Sequence, residues 1–207
     1  MKNDKNEKEK ILVVADKLFR ENGHYKTSMD ELAALLQISK KTIYKHFSSK
    51  DNLVEEITKF WMKGSTKRVD EIVHSDTDVV SKFVKLLEDY CCELSKVSDK
   101  WVRDFQIHYP EIWKSVEAFR EEKIFYYAKK LFKQGKKEKY VLNIPTEIVI
   151  ASHIASMAAI ANPKFILENN FSMNEALKYL FEMQINGILT EKGRTKYYNQ
   201  KKKHIKE

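Results

Sequence analysis

The chain has 207 residues, and because 43% are hydrophobic and 12% aromatic it can bury a substantial core in one domain or two small ones. Its net charge of +8 favours a polyanionic partner. Since only five glycines and three prolines are present, the sequence cannot supply the turns of an all-β fold. It predicts an all-α protein of about nine helices.

The N-terminus and the cysteines bear on the compartment of the protein. The first ten residues are charged and lack the apolar core of a signal peptide. The longest apolar stretch, residues 148–161, is too short and too polar to cross a bilayer. Cys91 and Cys92 are adjacent and do not resemble a secreted disulfide framework. We therefore expect a cytoplasmic protein without membrane contact.

Four helices are predicted in the first 75 residues. Ser28 and Glu31 form a capping-box pattern that opens a short second helix. After a brief turn, Ser39 can cap a third helix, whose buried side would be Ile43 and Phe47. Apolar residues at helical spacing and these caps predict helices over about residues 6–22, 28–35, 40–47 and 50–74.

Two short helices joined by a tight turn, with the second helix basic, are typical of a DNA-binding helix-turn-helix. The outward face of the second helix carries long hydrogen-bond donors that suit phosphates and base edges. Free N–H groups at neighbouring helix N-termini also attract phosphates. The candidate DNA contacts on these grounds are Thr27, Ser28, Ser39, Lys40, Lys41, Thr42, Tyr44, Lys45 and Lys50.

A longer motif surrounds these residues. It is the run Thr27-Ser28-x-x-x-Leu32-Ala33-x-x-x-x-Ile38-Ser39-Lys40-x-Thr42-Ile43-Tyr44-x-His46-Phe47-x-Ser49-Lys50-x-x-Leu53, preceded by Ala15-x-x-Leu18-Phe19-x-x-x-Gly23. Within about residues 8–55 this pattern resembles the tetracycline-repressor (TetR) family. Gln37 stands where the family usually has glycine in the turn, so Gln37 is strained if its φ is positive. Lys41 is a second departure from the family pattern, and it bears on which DNA sequence the protein prefers.

The resemblance assigns roles to the candidate contacts. It implies that Lys40 and Tyr44 hold phosphates, while Lys41 and Thr42 read base edges, Lys41 reading guanine O6 and N7. The resemblance also implies that Thr27, Ser28, His46 and Lys50 contact the DNA backbone.

Helical patterns continue to about residue 190, which suits the variable dimerisation and effector-binding half of that family. We expect a DNA-binding domain over 1–48, a helical domain over 49–191 and a basic, frayed tail over 192–207. A protein that reads a palindrome with a helix-turn-helix needs two DNA-binding domains, one from each protomer of a homodimer. We expect the interface of this homodimer to be formed by the helices at about 146–161 and 172–190 of both protomers.

An aromatic-rich set lies on the helices after the recognition helix. It is read either as a pocket for an apolar or aromatic effector or as plain core packing, and the sequence leaves both open. No metal-ligand spacing and no cofactor motif is present. The candidate effector residues are Trp61, Phe83, Tyr90, Trp101, Phe105, His108, Tyr109 and Trp113.

The sequence thus predicts a homodimeric repressor that a small molecule releases from a palindromic operator on double-stranded DNA. The alternative is a constitutive or nucleoid-type DNA-binding protein without an effector. An enzyme is not expected, because no phosphate-binding loop, nucleophile elbow or zinc-protease motif occurs.

Overall fold

The computed structural model describes residues 2–23, 27–97 and 99–204, and every regular element in these ranges is an α-helix. The helices are α1 (Lys2–Asn22), α2 (Met29–Leu36), α3 (Lys40–His46), α4 (Lys50–His74), α5 (Val79–Ser95), α6 (Asp99–His108), α7 (Pro110–Lys137), α8 (Thr146–Ile160), α9 (Pro163–Asn169), α10 (Met173–Ile188) and α11 (Glu191–His204). The all-α prediction is confirmed. Two helices were not predicted, the short α9 and the long α11.

Two compact units make up the chain. Unit 1 consists of Met1–Ser65 and Lys96–Glu117, and unit 2 consists of Thr66–Ser95 and Ala118–Glu207. This division differs from the expected boundary after residue 48, because the first part of α4 belongs to unit 1 together with a segment that follows much later in the chain. Helices α4 and α7 each have residues in both units.

The core of unit 1 is built from the apolar faces of α1 to α4. It includes Leu32 and Ile43 of the helix-turn-helix and Leu53 of α4, all with no exposed surface. Burial of each such side chain contributes about 1.5–3 kcal/mol. The Lys8 ammonium of α1 also lies 2.6 Å from the Glu56 carboxylate of α4. These contacts hold α3 in a fixed orientation within the unit.

Helix α6 completes this core. Phe105 is buried in the same cluster as Ile11 and Phe47, and the Trp101 ring stacks on it with 5.0 Å between centroids. The Tyr109 hydroxyl donates a hydrogen bond of 3.1 Å to Asp51 Oδ1 at the start of α4. Unit 1 is therefore assembled from two separate stretches of sequence.

The turn between α2 and α3 requires a left-handed residue. Gln37 has φ 55° and ψ 39°, so the condition under which the sequence analysis expected strain at this residue is met. Its N–H donates to the Ala34 carbonyl at 3.1 Å, and Ile38 N–H donates to the Ala33 carbonyl at 3.1 Å. A non-glycine residue in this conformation costs about 1–2 kcal/mol.

Replacing Gln37 with glycine is expected to raise the free energy of unfolding by about 0.5–1 kcal/mol, since the relief of strain exceeds the entropy that glycine adds to the unfolded chain. Urea titration followed by circular dichroism measures the change. Gln37→Ala is the matched control and gains nothing, because alanine keeps the cost of positive φ. Equal stability of the two variants would contradict the assignment of strain to this residue.

Unit 2 has its own core and a buried polar network. Lys82 of α5 is only 4% exposed, and its ammonium donates to the Val73 carbonyl and to Gln134 Oε1, each at 2.8 Å. Gln134 Nε2 in turn donates to the Thr77 carbonyl at 2.8 Å. Because a buried cation without acceptors is strongly unfavourable, these bonds fix the end of α4 and the start of α5 against α7.

Residues from 192 onward were expected to form a frayed tail, and that expectation is wrong as far as His204. They form α11, whose Tyr197 is completely buried. Gly193 lies so close to the Tyr140 carbonyl that a Cβ would collide with it. Gln200 Nε2 donates to Ser81 Oγ at 2.8 Å. The apolar side of α11 thus closes the core of unit 2, while Lys196 and Lys201 form ion pairs with Asp78 and Glu182.

Within the described ranges, the longer helices all carry too much charge or too little apolar sequence to span a membrane.

Candidate nucleic-acid interface

Local hydrogen bonds define the start of each helix of the helix-turn-helix. Ser28 Oγ accepts from Glu31 N–H at 3.1 Å, and Glu31 Oε2 accepts from Ser28 N–H at 2.7 Å, which is the predicted capping box. Ser39 Oγ accepts from Thr42 N–H at 3.0 Å and lies 2.8 Å from Thr42 Oγ1. The Ser28 and Ser39 hydroxyls therefore serve as caps in this structure.

The recognition helix α3 has one buried and one exposed face. Ile43 and the following Phe47 have no exposed surface. The opposite face carries Lys40, Lys41, Tyr44 and Lys45, all exposed, with Thr42 half-buried beside them. Since buried apolar residues recur at i and i+4, the intervening Tyr44 and Lys45 point outward. Donors of hydrogen bonds are thereby collected on one solvent-facing surface.

Two residues of this surface have no hydrogen-bond or ion-pair partner in the described part of the chain. Across residues 2–23, 27–97 and 99–204, nothing forms a hydrogen bond or ion pair with the Lys41 ammonium or the Tyr44 hydroxyl. The Tyr44 side chain is 42% exposed. Both groups can therefore meet an incoming polyanion without first breaking a contact.

Two other lysines of the surface are already paired. Lys40 Nζ lies 2.8 Å from Asp30 Oδ2, and Lys45 Nζ lies 2.8 Å from Asp4 Oδ1. Hydrogen bonds to these carboxylates raise the pKa of Lys40 and of Lys45, so both remain cationic at neutral pH. Because exposed ion pairs contribute little net free energy, phosphate groups can replace the carboxylates.

The side chains of Thr27 and His46 are buried, whereas the sequence predicted that both would contact DNA. Thr27 is 2% exposed, and its hydroxyl donates to the Gly23 carbonyl at 2.9 Å. The His46 side chain is 6% exposed, with Nε2 2.9 Å from Glu7 Oε2 of α1. In this structure both side chains join α1 to the helix-turn-helix instead of facing solvent. Glu7 lies outside the motif, so the motif alone gave no sign of the partner of His46.

Lys50 is the first residue of α4 and is half-buried. Burial lowers the pKa of Lys50, and the nearby carboxylates of Asp51 and Glu31 partly oppose that effect. Its position at a helix N-terminus is the one that the sequence predicted for a phosphate contact.

The eight candidate effector residues are divided between the two units. Six of them belong to unit 1: Trp61, Trp101, Phe105, His108, Tyr109 and Trp113. Phe105 lies in the core that supports α3, with Trp101, Tyr109 and Trp113 packed against that core. Phe83 and Tyr90 belong to unit 2, where Phe83 is a core residue. For Phe105 and Phe83, the alternative interpretation of plain core packing describes the structure better.

Unit 2 contains a different aromatic and polar cluster. The Phe181 ring lies 4.5 Å from the Tyr90 ring and 5.2 Å from the His153 ring. His153 Nδ1 is 2.6 Å from Gln184 Oε1, and burial lowers the pKa of His153, so the imidazole is neutral at pH 7. This cluster joins α5, α8 and α10. The sequence singled out Tyr90 but not Phe181 or Gln184, since their convergence depends on helix packing.

Comparison with known proteins identifies the helix-turn-helix. Residues 11–57 match the family of bacterial regulatory proteins described as the tetR family. Over 185 residues the chain is 24% identical to the HTH-type transcriptional regulator YvaF of Bacillus subtilis (strain 168), covering 88% of this chain and 95% of that protein. Residues 11–57 are thus similar to the helix-turn-helix of tetR-family regulatory proteins, and these relatives support a DNA-binding regulator.

Solved structures of transcriptional regulators share the helical fold of this chain. A transcriptional regulator from Cytophaga hutchinsonii has a TM-score of 0.70 at 21% identity, covering 88% of this chain and 98% of that one. A transcriptional regulator from Saccharomonospora viridis, solved in complex with choline, has a TM-score of 0.67 at 18% identity, covering 89% and 98%. At these identities the likeness establishes the fold alone.

Proposed function

We propose that this protein is a homodimeric repressor that binds a palindromic operator through α3 and is released by a small molecule. The observation that carries the DNA-binding part is the exposed face of α3. Lys41 and Tyr44 point to solvent from a helix whose other side is fixed by Ile43 and Phe47. In the major groove, Lys41 and Thr42 read bases, while Lys40, Tyr44 and Lys50 hold phosphates.

Exposed apolar surface on α8 and α10 supports the dimer. Ile148 of α8 is 60% exposed, and the exposed residues that follow on the same side include Ala151 and Ala155. Tyr179 and Met183 of α10 are 71% and 66% exposed. Small side chains allow close helix approach, and apolar surface on neighbouring helices is typical of an interface. A four-helix contact between two copies would cover this surface.

The dimer is tested with Ala155→Glu combined with Met183→Glu. Two buried carboxylates on each side of the interface should convert the dimer to monomer in sedimentation velocity at micromolar concentration. The operator affinity of the variant should then fall at least tenfold, because a monomer binds a half-site with a single DNA-binding domain. The matched control is Ile107→Glu on α6, which adds a charge at another exposed apolar position and leaves the dimer intact. A double variant that remains dimeric would contradict the assignment.

The cluster of Tyr90, His153, Phe181 and Gln184 in unit 2 supports the effector part of the proposal. It combines ring faces with a neutral imidazole and an amide, the mixture that orients a small apolar or aromatic ligand. The complex of the Saccharomonospora viridis protein with choline is an example of a small organic ligand on the same fold. A ligand that binds one conformation better shifts the population of DNA-binding states, and α4 and α7 both have residues in each unit.

Operator binding in the presence of a small-molecule library tests regulation. One compound class should lower operator affinity at least tenfold, and Phe181→Ala should abolish that response without changing affinity in the absence of ligand. If no compound alters binding, the protein is a constitutive regulator. Competition between a palindromic operator and bulk DNA at fixed salt separates either regulator from a nucleoid-type protein, which would show no preference.

A further inference from the structure

Three possible metal ligands converge beside the recognition helix. Asp4 and Glu7 are one turn apart on α1, and His46 is the last residue of α3. His46 Nε2 lies 2.9 Å from Glu7 Oε2 and 3.9 Å from Asp4 Oδ1. The three ligand atoms all lie within 4.8 Å of one another. No spacing in the sequence predicted this site, because its ligands come from distant positions.

The imidazole is fixed in direction, while the carboxylates are accessible. The His46 side chain is 6% exposed, and its ring is tilted against the buried Phe47 with 6.3 Å between centroids. The Asp4 and Glu7 side chains are 55% and 40% exposed. One buried nitrogen therefore points at two oxygens that solvent reaches, which leaves room for an ion to enter and to keep water ligands.

We propose that Asp4, Glu7 and His46 bind a first-row divalent transition-metal ion of the Zn²⁺ type. Bonds of about 2.0–2.2 Å place neighbouring ligand atoms of a tetrahedral ion about 3.3 Å apart. The two distances from His46 lie on either side of that value, so small carboxylate rotations suffice. An imidazole with two carboxylates suits Zn²⁺ or Co²⁺ better than Ca²⁺ or Mg²⁺, which prefer oxygen alone. With three protein ligands, micromolar affinity is expected.

The ion would also change the charge of the DNA-facing surface. Asp4 Oδ1, which lies 3.9 Å from His46 Nε2, is also the atom that pairs with Lys45 Nζ at 2.8 Å. A divalent ion displaces that ammonium and offsets both carboxylates. Lys45 is then released toward solvent, and the end of α3 becomes more positive. This second step rests on the proposed function, whereas metal binding itself does not.

Metal binding is measured on the full chain without DNA, by calorimetry with Zn²⁺ and by the visible absorbance of Co²⁺. We expect one ion per chain, and the double variant Asp4→Asn, Glu7→Gln should bind at least tenfold more weakly. This variant leaves the buried His46 untouched, so folding is preserved. Glu9→Gln is the control for α1, and His74→Gln is the control for a second histidine near a carboxylate, since His74 Nδ1 lies 3.4 Å from Asp70 Oδ1. Both controls should bind as the wild type does.

Equal binding by the double variant would overturn the proposal, as would the absence of binding at millimolar Zn²⁺, which would leave a hydrogen-bonded cluster only. Operator affinity at fixed salt forms the second arm. Zn²⁺ should raise it severalfold in the wild type and not in the double variant. Metal binding with unchanged operator affinity would overturn the link to DNA while leaving the metal site in place. Failure of the wild type to bind any operator without metal would count against the proposed function alone.

Discussion

Replacing Phe105 with alanine should destabilise the DNA-binding unit by about 3–5 kcal/mol, the usual cost of removing a buried phenylalanine. Phe105 is 4% exposed in the core that includes Ile11 and Phe47, and the Trp101 ring stacks on it. The cavity left by the substitution cannot be filled by water at low cost, because its lining is apolar. Operator binding should fall with stability, since α3 is oriented by the same core.

Urea unfolding monitored by tryptophan fluorescence measures this loss, because Trp101 reports on the affected core. Phe125→Ala is the matched control. Phe125 lies on α7 and is 45% exposed, so the same truncation there should cost less than about 1 kcal/mol. If Phe105→Ala retained full stability but lost its response to an effector, the residue would belong to a ligand pocket, as the other interpretation of the sequence holds.

Lys41→Ala should weaken operator binding by about 1–3 kcal/mol and relax preference at one base position, since it removes a base contact. Tyr44→Ala should weaken binding to all sequences alike, by about 0.5–1.5 kcal/mol, because it removes a hydrogen bond to phosphate. Neither side chain has a partner within the described part of the chain that its loss would disturb, so the folded state should be unchanged.

Binding of each variant to the operator and to single-base variants of it, at several salt concentrations, distinguishes these roles. Lys17→Ala removes the same charge from α1, where Lys17 is exposed and only 3.9 Å from Glu21, and should leave preference unaltered. Loss of the same size across all sequences for both Lys41→Ala and Tyr44→Ala would show that neither residue reads bases.

Local sequence signals predicted the helix-turn-helix accurately. The Ser28 and Glu31 capping box and the Ser39 cap depend on neighbours within a few residues, and each is present. Such features can be predicted because the interacting groups are adjacent in sequence. The bounds of α4 were predicted for the same reason.

Features that depend on distant partners were missed. The sequence left open whether Phe105 and Trp101 line a pocket or pack in a core, and it did not indicate which core that would be. His46 was expected to face DNA, whereas its partner is Glu7 on α1. Hydropathy also failed to predict α11, because the many charged residues of this helix outweigh its short apolar side in the average. The spacing of Leu189, Gly193 and Tyr197 at i, i+4 and i+8 was the available signal, with glycine at the closest approach.

The two-part construction of unit 1 has a consequence for the order in which the protein is made. Ribosomes release the helix-turn-helix well before the segment from Lys96 to Glu117, yet Phe105 from that segment fills the core beneath α3. Nascent chains fold from the N-terminus as they emerge. The core beneath the nascent recognition helix is therefore complete only when α6 has emerged, which requires that α5 has already been synthesised.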